Sequence, residues 1–116
     1  MSHEKFKSCI DACNQCAAAC EHCATACLSE SDVQKMHQCI ELDRYCADMC
    51  RMAAAFMSRS DEHTARFVNK FCALCAEICD ACAKECGKHQ HEHCKRCADA
   101  CRKCAEECRA MSGVNA

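Results

Sequence analysis

The chain has no proline, no tryptophan and only two glycines. Without proline nothing forces a helix to break, and with so little glycine there is scarcely any flexible linker. Large hydrophobic side chains are also scarce. Val, Ile, Leu and Phe together number 13 of 116 residues. Such poverty usually accompanies disorder, but the net charge is only −2, so the strong self-repulsion typical of disordered chains is missing. No run of 18 apolar residues exists, which excludes a transmembrane helix. The start, Met-Ser-His-Glu-Lys-Phe-Lys, lacks an apolar h-region, so no signal peptide is expected and the cytoplasm is the default location. Lys and Arg number 15 against 17 Asp and Glu, too balanced for a nucleic-acid footprint.

What the chain has is sulfur. It carries 19 Cys and 20 Ala. Cytosolic thiols stay reduced, and an odd number cannot close into disulfides within one chain. The cysteines therefore read as metal ligands.

Their spacing is helical. The first run is Cys9, Cys13, Cys16, Cys20, Cys23 and Cys27. The second is Cys39, Cys46 and Cys50, its seam completed by Met36, Asp43, Ala53 and Met57. The third is Cys72, Cys75, Cys79, Cys82 and Cys86, and the fourth Cys94, Cys97, Cys101, Cys104 and Cys108. Alternating steps of three and four mark the buried seam of a packed helix. Four such seams predict an all-α protein with one domain over 1–116, an antiparallel up-down-up-down four-helix bundle with a Cys-lined core. The helices are expected near 3–28, 32–57, 61–86 and 91–111. Ser31-Asp32-Val33-Gln34 reads as a capping box, Ser60 as the start of the third helix, and Gly87 as its left-handed terminator.

This topology gathers Cys27, Met36, Cys86 and His91 at one end, with His37, His89 and His93 nearby. The other end gathers Phe6, Met57, Ala65, Val68 and Met111, an apolar plug. A further stripe, Leu42, Tyr45, Met49, Met52 and Phe56 on the second helix and Phe67, Phe71, Leu74 and Ile78 on the third, either widens the core or forms an oligomer interface.

Thiols at i and i+4 lie one turn apart and can lean toward one ion. Eight non-overlapping pairs exist: 9/13, 16/20, 23/27, 46/50, 75/79, 82/86, 97/101 and 104/108. Soft thiolates select Cu(I), which accepts two or three of them, so many Cu(I) ions per chain are expected. Zinc or cadmium sequestration is the alternative, because Cys-x-x-Cys also recurs. Here, though, it lies within helices rather than on knuckles. An iron–sulfur redox protein is less favoured, since the ferredoxin run Cys-x2-Cys-x2-Cys-x3-Cys-Pro is absent. No nucleophile elbow or phosphate loop marks an enzyme.

Asp43 interrupts a core seam. It either ligates or tunes a metal, or hydrogen-bonds a thiol, Arg44 or a neighbouring helix; its level is expected to hold Cys20, Cys79 and Cys97. His91 and His93, from a short His tract, are candidate ligands. Met36 is a thioether ligand or a packing cap. His3, His22 and His63 read as surface residues.

Cys-Ile-Glu-Leu-Asp-Arg-Tyr-Cys at 39–46, Cys-Ala-Leu-Cys-Ala-Glu-Ile-Cys at 72–79 and His-x-His-Cys at 91–94 resemble the bacterial cytosolic copper storage proteins, over essentially the whole chain. The resemblance implies that the 19 Cys are Cu(I) storage ligands, that His91 and His93 line the mouth, and that bundles assemble as a homotetramer. Some relatives carry Asn at the position of Asp43. Copper ions are then the partners, with a copper chaperone or small thiol as donor or acceptor, and neither nucleic acid nor membrane is involved.

Overall fold

A computed structural model describes residues 2–112. A short α1 (Ser2–Lys5) leads into α2 (Lys7–Cys27). A 3-10 turn over Val33–Met36 opens α3 (His37–Ser58), and α4 (Ala65–Cys86) and α5 (Glu92–Ser112) follow. At 1.5 Å per residue, bundle helices of this length run to roughly 30 Å. The molecule measures 49 × 19 × 17 Å, a slim rod. α2 packs on α3, α3 on α4, α4 on α5, and α5 closes back on α2. This is the expected antiparallel four-helix bundle.

Boundaries depart from expectation where local side chains found other partners. The second bundle helix starts at His37 rather than 32. Asp32 makes no capping hydrogen bond with its side chain, because its carboxylate is turned to His91 Nε2 at 3.1 Å. The third starts at Ala65 rather than 61. There the Asp61 carboxylate accepts the N–H of His63 at 2.9 Å and of Thr64 at 3.1 Å, a turn that competes with helix. Gly87 is not left-handed; its φ is −65°. Its place is a close approach instead, since a Cβ would stand 3.1 Å from the Ala83 carbonyl and 3.3 Å from the Arg102 guanidinium. The first helix breaks at Phe6, whose φ of −99° and ψ of 3° separate α1 from α2.

The core is built as the seams predict. All 19 Cys are buried. Ala12, Ala17, Ala24, Ala47, Ala76, Ala83, Ala98 and Ala105 sit among them, which lets the helices approach closely. Phe6, Met57 and Val68 are buried at the plug end, with Met111 partly buried against the core and Ala65 half-buried. The outer stripe divides. Phe56 and Phe71 stack with centroids 4.3 Å apart, and Leu42, Met49 and Ile78 pack partly on the core. Tyr45, Met52, Phe67 and Leu74 remain exposed. His22 and His63 are at the surface; the His3 side chain lies outside the described residues. Among the described residues no helix is long and apolar enough to cross a membrane.

Candidate metal centre

The seams of the four bundle helices face one axis, so their thiols meet in the middle. Within single helices, 16/20, 23/27, 46/50, 75/79, 82/86, 97/101 and 104/108 stand 3.9–4.0 Å apart, sulfur to sulfur. Contacts between helices are equally close. Near the plug, Cys9 Sγ lies 3.6 Å from Cys108, and Cys104 lies 3.6 Å from Cys13. At mid-bundle, Cys50 lies 3.8 Å from Cys75 and 3.7 Å from Cys104. Cys46 lies 3.6 Å from Cys79, and Cys16 lies 3.8 Å from Cys46 and 3.7 Å from Cys101. Repeatedly, four donors fall within 4.8 Å of one another: Cys13, Cys50, Cys75 and Cys104, and again Cys16, Cys20, Cys46 and Cys101.

Asp43 sits inside this column and is fully buried. One carboxyl oxygen accepts from Cys82 at 3.2 Å, Cys97 at 3.2 Å and Cys86 at 3.4 Å, and the other from Cys39 at 3.9 Å. Cys97 is where the sequence placed it, but Cys79 is not; it pairs with Cys46 and Cys50. The level is shifted toward the mouth. Side chains tilt toward their helix N-terminus, so Asp43 on α3 leans to the mouth while Cys82 and Cys86 on antiparallel α4 lean back to meet it. Of the readings weighed for Asp43, the hydrogen bond to thiols is present; Arg44 is exposed.

Burial, reinforced by the neighbouring Cys97, Cys82 and Cys39, pushes the Asp43 carboxyl up to about 11. In the unfolded chain it titrates near the ordinary carboxylate value. The folded state therefore holds the extra proton between these limits. Stability from this group is full below about pH 4 and is lost as pH rises toward 11. At pH 7 the loss is roughly 4 kcal/mol, three units at about 1.4 kcal/mol each. Asp43→Asn in the reduced apo chain should raise the melting temperature at neutral pH and remove this slope. Melting curves from pH 4 to 8 that run parallel for both chains would refute it.

The mouth is assembled from the end of α2, the start of α5 and the two loops beside them. His93 Nδ1 lies 3.5 Å from Cys23, 3.6 Å from Cys94 and 3.9 Å from Cys27. Its Nε2 meets Glu30 at 2.8 Å. Burial raises the Cys27 thiol, and pushes that of Cys94 up to about 12. His91 stacks on His93 with centroids 5.3 Å apart, but its nitrogens face acids: Asp32 at 3.1 Å and Glu30 at 3.4 Å. Its hydrogen bond holds the Asp32 carboxyl below the usual range. So of the two candidate histidines, His93 reaches thiols and His91 flanks it. His89 pairs with Glu85 at 3.1 Å, and His37 is exposed. Met36 is fully buried in the core cluster.

Glu30 escaped the sequence reading, and Asp32 entered it only as part of a capping box. Acids in the first interhelical loop, at the end that carries the His tract, were the available signal.

The copper storage protein family model matches residues 2–113. The chain belongs to this family. A Cu(I)-bound copper storage protein of Bacillus subtilis is 50% identical, covering 92% of this chain and 97% of that one, with a TM-score of 0.85. A cytosolic copper storage protein from Streptomyces lividans, solved with five coppers, is 42% identical, covering 95% and 93%, with a TM-score of 0.90. An uncharacterized cysteine-rich protein of Bacillus subtilis is 50% identical over 72 residues. That match spans 62% of this chain and 63% of the relative, just under two thirds of its length. In this copper storage family member the packing of the four bundle helices buries all 19 thiols.

Proposed function

We propose that the whole of 1–116 acts as one domain that stores and buffers Cu(I) on the thiolates of its core, without catalysing a reaction. The observation that carries this is the column of 19 buried thiols at near-contact distances along one axis. Each helix delivers its donors preformed, so an ion binds by displacing protons rather than by rearranging the backbone. Loading therefore weakens as pH falls. The ligand set is the 19 Cys, with Met36, Asp43, His91 and His93 lining or completing it. An anaerobic Cu(I) titration tests the reading. Zinc or cadmium sequestration and an iron–sulfur centre are disfavoured by the Cu(I)-bound and copper-loaded relatives.

Copper passes through the mouth. Ions move from imidazole to thiolate, gaining a better ligand at each step, while the opposite end is sealed by Phe6, Met57 and Val68. Replacing His91 and His93 with Ala slows both uptake and removal by a chelator, and leaves capacity near the wild-type value. Unchanged rates in stopped-flow loading would place the route elsewhere.

The chain works in the cytoplasm, receives copper from a chaperone or small thiol, and assembles as a homotetramer through the exposed part of the outer stripe. Met52 and Leu74 are half-exposed, so changing both to Lys leaves the core intact while dissociating the assembly. Light scattering that finds the wild-type chain monomeric would return the stripe to surface decoration.

A further inference from the structure

The mouth differs from the rest of the column in its chemistry. Cys23, Cys27, Cys94 and His93 Nδ1 form a closed group of four donors. The three sulfur–sulfur edges are 3.9, 3.9 and 4.0 Å. The three sulfur–nitrogen edges are 3.5, 3.6 and 3.9 Å. A tetrahedral ion with metal–sulfur bonds of about 2.3 Å and a metal–nitrogen bond of about 2.0 Å needs edges of about 3.8 and 3.5 Å. We propose that Cys23, Cys27, Cys94 and His93, with Glu30 behind the imidazole, form a binding site for one tetrahedral divalent ion, Zn²⁺, at the mouth. The site lies within the proposed storage tube but is a separate activity, and copper capacity tests the one without testing the other.

Packed thiols everywhere stand near these distances, so the edges alone do not distinguish the mouth from quartets such as Cys16, Cys20, Cys46 and Cys101. Charge and orientation do. Four thiolates around a divalent ion leave two net negative charges in a dry core, which is costly without compensating donors. Three thiolates and a neutral imidazole leave one. The imidazole is also oriented for the purpose. A carboxylate can only accept, so Glu30 takes the Nε2–H of His93 and leaves the Nδ1 lone pair aimed at the three sulfurs. This carboxylate–imidazole–metal order is how metal-binding histidines are usually held. His91, stacked on His93 and held by Asp32 and Glu30, fixes the ring from outside.

Glu30 is thus a positioning residue, and the test separates it from a merely structural one. Reduced apo chain is titrated anaerobically with Co²⁺ as a spectroscopic probe, then with Zn²⁺. The first equivalent should give the intense visible bands of tetrahedral thiolate–imidazole Co²⁺, and one equivalent of Zn²⁺ should bleach them. Glu30→Gln should keep the bands while weakening affinity by about ten- to a hundredfold. His93→Ala should change the bands of the first equivalent. Far-ultraviolet circular dichroism on the same preparations reports that the bundle is folded. Bands and affinity identical in wild type, E30Q and H93A would put the ion in the all-thiol column and overturn the site. So would the absence of tetrahedral bands, or several equivalents binding with no distinct first step.

Discussion

Anaerobic titration of the reduced chain with Cu(I) is expected to saturate clearly above eight ions per chain. Eight is what the Cys-x-x-x-Cys pairs hold if each grips one ion alone. The geometry argues for sharing. Cys16 lies within 4.0 Å of Cys20, Cys46 and Cys101, and Cys50 is equally close to Cys46, Cys75, Cys79 and Cys104. A thiolate with three or four such neighbours can bridge ions. Bridging moves the count from one ion per pair toward one per Cys. The ceiling on this argument is 19. Saturation at four or fewer would sink the storage reading and favour isolated tetrahedral sites for Zn²⁺.

The second large effect is on stability. The apo core is made of Cys and Ala, and its fully buried large side chains are few: Phe6, Met36, Met57 and Val68. Small side chains remove little apolar area from water, so the metal-free bundle is expected to melt at modest temperature. Copper changes this because its ligands come from different helices. An ion shared by Cys16, Cys46 and Cys101 ties α2, α3 and α5 together. A single site at a hundredfold excess over its Kd adds about 2.7 kcal/mol. Eight independent sites would add roughly 20 kcal/mol, less whatever the unfolded thiols retain. The loaded chain should melt more than about 20 °C above the apo chain, and chelation should reverse the shift. A rise under about 5 °C in calorimetry would mean that copper sits on thiols outside the folded column.

The bundle and its lining were legible because the seam repeats. Steps of three and four leave little freedom once Cys stands where Leu normally would, and every Cys so assigned is buried. Helix starts were less legible. They depended on which partner a polar side chain chose, and Asp32 chose His91 across the mouth over the cap of its own helix. The level of Asp43 was misplaced because spacing along the chain does not carry the tilt of side chains in antiparallel helices. Met36 and Asp43 stand out in the sequence because a seam of one residue type makes any exception visible, and both are buried. The Glu30 contact to His93 spans 63 residues, and no local pattern encodes it.

Phe6, Met57 and Val68 are buried at one end of the rod, and His93 meets the outermost thiols at the other. If copper enters and leaves only at the His93 end, as proposed above, the column keeps its contents in order of arrival. The first ions in lie deepest, and the latest stand nearest the exit. If exchange along the thiols is slower than exchange at the mouth, the protein withdraws its newest copper first. Two isotopes of copper loaded in succession would then leave in reverse sequence, and the age of an ion would be written in its depth.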